Sequence, residues 1–359
     1  MTESHPSHSA PGAANLSGDT PRWAGGVLVG LTLLGALALT AALTPTVLEA
    51  KPSDAPREKL RRPRTHTDHR GMFKGPFKSG PAATRACLEC HPQAGRDVLH
   101  TQHYTWLGKP HRVPGEGPNH AQEMRIGKRN LINNFCLSVE SNWSRCTSCH
   151  AGYGWKDANF DFQDQTNIDC LVCHEQTGSY RKDLAGLPVA GTDLLRAAES
   201  VARPTRSNCG YCHFAGGGGD AVKHGDLDGT LANPPERLDV HMGRANLVCV
   251  DCHRSEKHEI FGQSMGVSTG EGKRIACTDC HSQTPHRNDR LNAHTGPVAC
   301  VTCHVPFMAL ETPTKMVWDW STAGQDTAQP DPHRYLKEKG SFVYASRVVP
   351  EYHWYDGRV

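Results

Sequence analysis

Seven copies of one five-residue pattern, CxxCH, run along this chain of 359 residues. The cysteine pairs are Cys87/Cys90, Cys146/Cys149, Cys170/Cys173, Cys209/Cys212, Cys249/Cys252, Cys277/Cys280 and Cys300/Cys303. The histidines that follow them are His91, His150, His174, His213, His253, His281 and His304. Two cysteines at this spacing can each form a thioether to a haem vinyl group, and the next histidine is placed to bind the iron. The pattern therefore predicts seven covalently attached haems c, each with the motif histidine as its proximal ligand.

A zinc site, a disulfide framework and a thioredoxin-like redox pair are the competing interpretations of a CxxC pair. A zinc site would be indifferent to the residue after the second cysteine, whereas here a histidine follows every time. The seven motifs also use two cysteines each, 14 of the 15 in the chain, which leaves almost none for other pairings. The repetition favours a multihaem c-type cytochrome over all three alternatives.

The composition supports a core built largely from haem. Hydrophobic residues make up 37% and aromatic residues 7% of the chain, which is little for a globular protein of this length. The predicted fold is mainly α with long irregular loops around a haem-dense core, and with little or no β-sheet. Without haem the chain is expected to be largely unfolded. The formal net charge of +2 predicts no nucleic-acid partner.

An uncharged run near the N-terminus, Ala24–Leu43, is long enough to cross a hydrocarbon layer of about 30 Å. We expect a polar tail over residues 1–22, a transmembrane signal-anchor or a cleaved signal peptide over 23–48, a flexible, charged and Pro-rich tether over 49–80, and the multihaem domain over 81–359. The positive-inside rule would place that domain in the cytoplasm, but covalent haem c attachment takes place on the outer side of the membrane. The expected location is the bacterial inner membrane, with the tail in the cytoplasm and the haem domain in the periplasm. Cleavage would leave a soluble periplasmic protein.

Two stretches carry chemistry that haem attachment does not use. Cys136, ten residues before the second motif, is either a small buried hydrophobe or a thiol held beside the second haem. The glycine-rich segment 214–229 follows the fourth motif, and in it Asp220 can cap a short helix whose face Lys223 would share. An Asp and a Lys at this spacing are also common as a solvated pair, so the residues alone leave both interpretations open.

Several segments together point to a known family. The chain contains, in this order, NNFCLSVESNWSRCTSCHAGYGWKD, NIDCLVCH, NCGYCHFAGGGGDAVKHGDLDG, DVHM, ACTDCHSQTPH, ACVTCHVP and TKMVWDWSTAG. In order and spacing these segments resemble the octahaem tetrathionate reductase family of c-type cytochromes, over residues 68–359. The glycine run with its Asp and Lys is much more specific than any single CxxCH copy.

The resemblance implies that the second haem is the catalytic one and that Lys223 replaces histidine as its distal ligand. Asp220 and Cys136 would line the same pocket, Asp220 to orient Lys223 or relay a proton, and Cys136 to act as a thiolate. The implied reaction is a two-electron reduction of tetrathionate to two thiosulfates. Reduction of nitrite or hydroxylamine on the same haem, and a non-catalytic electron-transfer relay, are the alternatives.

The chain departs from the family at its C-terminal end, because family members carry eight haems and only seven motifs are found here. Either the sequence is truncated or the remaining domain is on another chain. The distal ligands that we expect are His69, His103, His224, His241, His258, His286 and His294. Six of them would close the ordinary haems, and one would belong to the missing eighth haem.

The expected partners are a small anionic substrate, tetrathionate or nitrite/hydroxylamine, and an electron donor. The donor would be a membrane protein on the quinol side or a periplasmic cytochrome. Arg125, Lys128 and Arg129, upstream of Cys136, either attract the substrate or pair with haem propionates. The aromatic residues of segment 314–324 are expected to pack on haem faces.

Overall fold

The computed structural model describes residues 66–113, 122–130, 138–215, 219–222, 226–262, 275–326, 331, 333–352 and 354. The chain divides into two units between Arg61 and Arg62, and everything described belongs to the second unit. The predicted tail, the apolar segment and most of the tether therefore lie outside the described residues. Within the described ranges, no helix combines the length and the apolar character that a membrane crossing needs.

The described part of the chain folds into short helices joined by loops, and its longest helix has 11 residues. The α-helices are α1 (Gly80–Cys90), α2 (Pro92–Val98), α3 (Gln102–Thr105), α4 (Trp143–Cys146), α5 (Leu171–His174), α6 (Leu194–Glu199), α7 (Arg206–His213), α8 (Cys249–Cys252), α9 (Asp289–His294) and α10 (Cys300–His304). Short 3-10 turns cover Val139–Ser141, Thr147–Cys149, Gln165–Asn167, Leu184–Gly186, Gly229–Ala232, Cys277–Asp279 and Trp320–Thr322, and a π turn covers Val240–Arg244.

Every motif lies on or at the end of a helical turn. The first motif ends α1, the second spans α4 and the 3-10 turn after it, the third lies on α5, the fourth on the second half of α7, the fifth on α8, the sixth on the 3-10 turn Cys277–Asp279 and the seventh on α10. Residues three apart on a helix share a face, so both cysteines of a motif point to one side. Local capping explains α1 and α7, because Ser79 accepts the Ala82 N–H and Thr205 forms a capping box with Asn208.

The β-structure is limited to three small antiparallel sheets in the described residues. They pair β1 (Pro110–Val113) with β2 (Gln122–Arg125), β3 (Ser255–Glu256) with β4 (Glu259–Ile260), and β5 (Thr314–Asp319), β7 (Gly340–Ala345) and β6 (Tyr335–Leu336) in that spatial order. In the third sheet Trp318 lies opposite Phe342, and the Lys315 ammonium lies 4.1 Å from both ring centroids. The prediction of a mainly helical, loop-rich fold with little sheet is confirmed.

Buried apolar side chains are concentrated before residue 200. One cluster comprises Ala83, Leu171, Val172, Tyr180, Leu194, Ala197 and Ala198, and a second comprises Leu99, Tyr104 and Ile168. Among the described residues of 226–308, by contrast, Pro234 is the one buried apolar side chain. Four motif cysteines of that stretch are exposed, namely Cys252, Cys277, Cys280 and Cys303. Haem on those cysteines would supply the apolar core that the polypeptide lacks there.

The described end of the predicted tether packs onto the haem domain. The Gly71 N–H donates to the Glu199 carboxylate at 2.8 Å, and Phe73 and Phe77 pack against the first apolar cluster. Residues 66–79 therefore belong structurally to the domain that follows them.

Gly186 and Gly191 both have a positive φ, but they differ in the space that a side chain would have. Gly186 has a φ of +72°, and a Cβ there would lie 2.4 Å from the carbonyl oxygen of Gly152, beside the second motif. Gly191 has a φ of +84° and nothing within 4 Å of such a Cβ. We expect Gly191→Ala to lower the free energy of unfolding by about 1–2 kcal/mol through backbone strain alone. Gly186→Ala should cost about 1–3 kcal/mol more because the Gly152 backbone has to move.

Denaturant unfolding of the haem-loaded protein, followed by far-ultraviolet circular dichroism, compares the two variants directly. Equal midpoints for Gly186→Ala and Gly191→Ala would contradict the close approach of residues 152 and 186.

Candidate haem sites and the second-motif pocket

Four motif histidines face a second histidine in the described residues. The ring centroids are 6.3 Å apart for His69 and His91, 6.1 Å for His103 and His213, 6.1 Å for His241 and His281, and 5.9 Å for His286 and His304. Two imidazoles that bind one metal from opposite sides, with bonds of about 2 Å each, have centroids about 6 Å apart. The four pairs therefore have the spacing that a haem iron between them requires.

In two further motif histidines, a hydrogen bond from one ring nitrogen orients the ring, and the other ring nitrogen is available for a metal ion. Nδ1 of His174 donates to the carbonyl oxygen of Ala202 at 2.9 Å, and Nδ1 of His253 donates to that of Phe261 at 3.0 Å. A carbonyl can only accept, so the proton is on Nδ1 and the neutral ring presents a lone pair on Nε2. Burial lowers the pKa of His174, which keeps its ring neutral. Both residues fit the role of a proximal ligand.

The other predicted distal ligands lie in varied positions. His258 is in the turn between β3 and β4, with Nδ1 4.0 Å from the Asp97 carboxylate, and it acts electrostatically on His174. His294 is the last residue of α9. His224 lies outside the described residues. Ligation by any of the seven stays a prediction, although four of them are placed opposite a motif histidine.

His150 of the second motif has a different environment, because it is fully buried among aromatic rings. We call these rings the aromatic box. The centroid distances to His150 are 4.8 Å for Trp155, 5.2 Å for Tyr104, 5.5 Å for Trp106, 5.5 Å for Phe160 and 6.1 Å for Phe162. No histidine ring contacts His150 within the described part of the chain, so this motif lacks the arrangement of the four facing pairs.

The two ring nitrogens of His150 have exchanged their roles relative to those of His174 and His253. Nε2 donates to the carbonyl oxygen of Tyr104 at 2.6 Å, whereas Nδ1 is buried and has no hydrogen-bond partner. Burial lowers the pKa of His150 to about 3, so the ring is neutral. A buried nitrogen without a partner is costly, so Nδ1 of His150 calls for a ligand that the described residues do not supply.

Cationic side chains lie against the aromatic box. The Lys128 ammonium is 4.1 Å from the Trp106 centroid, and the Arg129 guanidinium is 4.0 Å from that of Phe162. Together with Lys182 they lower the pKa of His150 further, after burial. Arg125 is used differently, since its side chain donates to the backbone carbonyls of residues 107 and 108. Two cations, Lys128 and Arg129, thus lie against the rings that surround His150.

The residues that the family resemblance makes catalytic are only partly described. The Asp220 carboxylate accepts the Gly229 N–H at 2.8 Å, across the glycine-rich segment, rather than capping a helix. Cys136 and Lys223 lie outside the described residues. The approach of these three side chains to one another therefore stays a prediction.

The glycine-rich segment is fixed against the chain that follows the seventh motif. Thr314 Oγ1 donates to the carbonyl oxygen of Ala221 at 2.6 Å in a buried contact. The Asp226 carboxylate accepts the N–H groups of Ala309 and Leu310 at 2.7 and 2.6 Å. The described parts 219–222 and 226–229 of the segment are thus held by defined hydrogen bonds.

Comparison with known proteins adds the family to this geometry. The structure superposes on the crystal structure of an octahaem cytochrome c from Shewanella oneidensis with a TM-score of 0.71 and 48% sequence identity, over 81% of this chain. The chain belongs to the octahaem cytochrome c family. It spans 66% of the Shewanella octahaem chain. A family model described as bacterial cytochrome c matches residues 315–359 of this octahaem cytochrome. An uncharacterized protein of Archaeoglobus fulgidus is 24% identical to it, over 57% of this chain and 84% of that protein.

Membership in the octahaem cytochrome c family defines the cofactor. The protein is a cytochrome with covalently bound haem c. Covalent haem c also makes it an extracytoplasmic protein. Sequence reasoning missed the aromatic box of this cytochrome, because its rings come from separate stretches around residues 104–106, 155 and 160–162 with no common spacing.

The His103–His213 pair provides a direct test of the paired histidines. His103→Ala should leave one haem of this multihaem cytochrome with an open position, because the variant removes the imidazole that faces His213. We expect the low-spin ferric signal to fall by one haem and one high-spin haem to appear in electron paramagnetic resonance (EPR) spectra. His333→Ala, at an exposed position, is the control and should change neither signal. An unchanged His103→Ala spectrum would contradict the assignment.

Proposed function

We propose that this multihaem cytochrome c is a reductase that converts tetrathionate to two thiosulfates at the second motif. The chain has seven haem motifs, so the six other haems would form the electron relay. The observation that carries the proposal is the environment of His150, a buried histidine with an unpartnered nitrogen, aromatic walls and positive charges around it.

Positive charge at the second motif favours an anionic substrate. Two cations a few Å from a charged group in a partly buried site interact with it by a few kcal/mol, since one pair at 4 Å contributes about 4 kcal/mol at an effective dielectric constant of 20. Lys128 and Arg129 are stacked on box rings. Their positions are compatible with movement toward an incoming dianion such as tetrathionate.

Contacts between motifs support a continuous relay. Thiols of different motifs are close enough to shift one another's pKa in four places, Cys87 with Cys170, Cys149 with Cys212, Cys209 with Cys249 and Cys277 with Cys300. Cys173 acts electrostatically on Cys209 and Cys212, and Cys280 acts on Cys252. In the haem-loaded protein these sulfurs are thioether sulfurs, so their proximity brings haem edges together.

The resulting order is first, third, fourth, fifth, sixth and seventh motif, with the second motif as a branch from the fourth. A site at the end of a branch receives electrons without having to pass them on. This connectivity suits a catalytic haem at the second motif.

The protein side chains have defined roles in the proposed reaction. The bound haem supplies electrons one at a time. Cys136 thiolate attacks a sulfane sulfur of tetrathionate, the central sulfur–sulfur bond breaks, and the first thiosulfate leaves. Two electrons then cleave the new bond between Cys136 and the remaining half, which releases the second thiosulfate and restores the thiolate. Lys223 is the proposed displaceable distal ligand, and Asp220 orients it.

Two other functions share part of this support. A cationic pocket also suits nitrite, so reduction of nitrite or hydroxylamine is the second candidate, and it needs no thiol. A relay without catalysis would use the same contacts between motifs.

We also propose that residues 23–48 anchor the protein in the inner membrane. The proposed electron donor is a membrane protein on the quinol side or a periplasmic cytochrome.

Steady-state turnover of purified haem-loaded protein separates these functions. We expect the double variant Lys128→Gln/Arg129→Gln to raise KM for tetrathionate about tenfold or more, because the lost attraction is on the order of 1–2 kcal/mol after solvent screening. The kcat should change less. Lys109→Gln/Lys156→Gln removes the same charge from exposed positions and serves as the control. Equal KM values for the two double variants would contradict a substrate site at the second motif.

Variants of the proposed catalytic residues distinguish the candidates. Cys136→Ser should abolish tetrathionate turnover and leave nitrite turnover unchanged if the sulfur mechanism holds. Lys223→His should remove a histidine/lysine-ligated low-spin haem signal from EPR and near-infrared magnetic circular dichroism spectra. A wild-type spectrum in which every haem has two histidine ligands would leave the relay as the function.

A further inference from the structure

A charged pair lies in the interior between the second and third motifs. Lys182 Nζ and Asp169 Oδ2 are 2.6 Å apart, and both side chains are 0% exposed. The Lys182 ammonium donates its other hydrogen bonds to the carbonyl oxygens of His150 at 2.5 Å and Gly152 at 3.2 Å. All three protons of the ammonium are therefore used, one of them on the backbone of the second motif and one on the backbone two residues after it.

Asp169 is equally well satisfied at the other end. Its carboxylate accepts the hydroxyls of Tyr153 at 2.8 Å and Tyr180 at 2.9 Å, and the Val172 N–H of α5 at 3.0 Å. A buried pair with every partner in place has one defined arrangement, and losing one member would leave an uncompensated charge. The direction of this dipole is thus fixed by the fold.

The two ends of the dipole meet different motifs. Asp169 directly precedes Cys170 and binds the first turn of α5, so the negative end lies at the third motif. The positive end lies at the backbone of His150 in the second motif. A net dipole acts on two nearby redox centres with opposite sign when it points from one to the other.

We propose that the Lys182–Asp169 pair is an electrostatic bias that raises the reduction potential of the haem at the second motif relative to the haem at the third. Positive charge near a haem stabilises its reduced form, and negative charge stabilises its oxidised form. Neither side chain is a haem ligand, so both are positioning residues. The bias favours electron transfer to the branch at the second motif. Its use for catalysis there rests on the proposed function, but the bias itself does not.

The test is an EPR-monitored redox titration of the intact haem-loaded protein. The signals of the two haems are assigned with His150→Met and His174→Met, each of which alters one haem. Lys182→Gln should lower the reduction potential of the second-motif haem by at least 59 mV. This shift corresponds to a tenfold change in the equilibrium constant of a one-electron reduction. Asp169→Asn should raise the potential of the third-motif haem by a similar factor. Both substitutions keep hydrogen-bonding atoms, which limits the effect on folding.

Lys156→Gln is the matched control, because it removes one positive charge from an exposed position in the same stretch of chain. The bias is overturned if Lys182→Gln shifts the second-motif haem no more than this control does, or if Lys182→Gln and Asp169→Asn shift their haems in the same direction. If Lys182→Gln fails to assemble, Lys182→Arg takes its place and must keep the wild-type potentials, while Asp169→Asn still shows its shift.

The titration needs no substrate, so it is independent of the turnover assays. Shifted potentials without tetrathionate or nitrite turnover would support the bias and defeat the proposed function. Turnover with unshifted potentials would support the proposed function and overturn the bias.

Discussion

Each haem site depends on one helical turn that directs two cysteines to the same side and ends at a histidine. The turn itself is short, and in the stretch 226–308 almost nothing apolar is buried behind it among the described residues. Covalent haem therefore has to provide both the redox centre and the core. This dependence explains why the helices are short and why loops with defined hydrogen bonds fill the space between them.

The second motif departs from this general plan. Four motif histidines face another histidine at about 6 Å, the spacing of a closed haem, whereas His150 is surrounded by rings and cations. The same stretch carries the buried Lys182–Asp169 pair, whose hydrogen bonds tie the backbone of this motif to the start of the third. An aromatic wall, two cations and a fixed dipole lie at one place. Their coincidence is the physical reason for proposing chemistry there.

The sequence was most informative where chemistry has a fixed spacing. The CxxCH pattern predicted the haem sites and the mainly helical, loop-rich class, and the ordered segments around it predicted the family. Long-range features were not accessible. Nothing in the local sequence of Lys182 distinguishes it from a surface lysine, because its burial results from contacts with residues 150, 152 and 169. Likewise, Asp220 at a potential helix start instead accepts the N–H of Gly229, nine residues further along the chain, a contact that no local pattern predicts.

The central claim is that all seven motifs carry haem, and counting the haems tests it most directly. Intact-mass spectrometry of the purified protein, combined with alkylation of the denatured chain, reports attached haems and remaining thiols together. The account predicts seven haems and a single alkylated residue, Cys136. Fewer haems, with alkylation at motif cysteines, would contradict it.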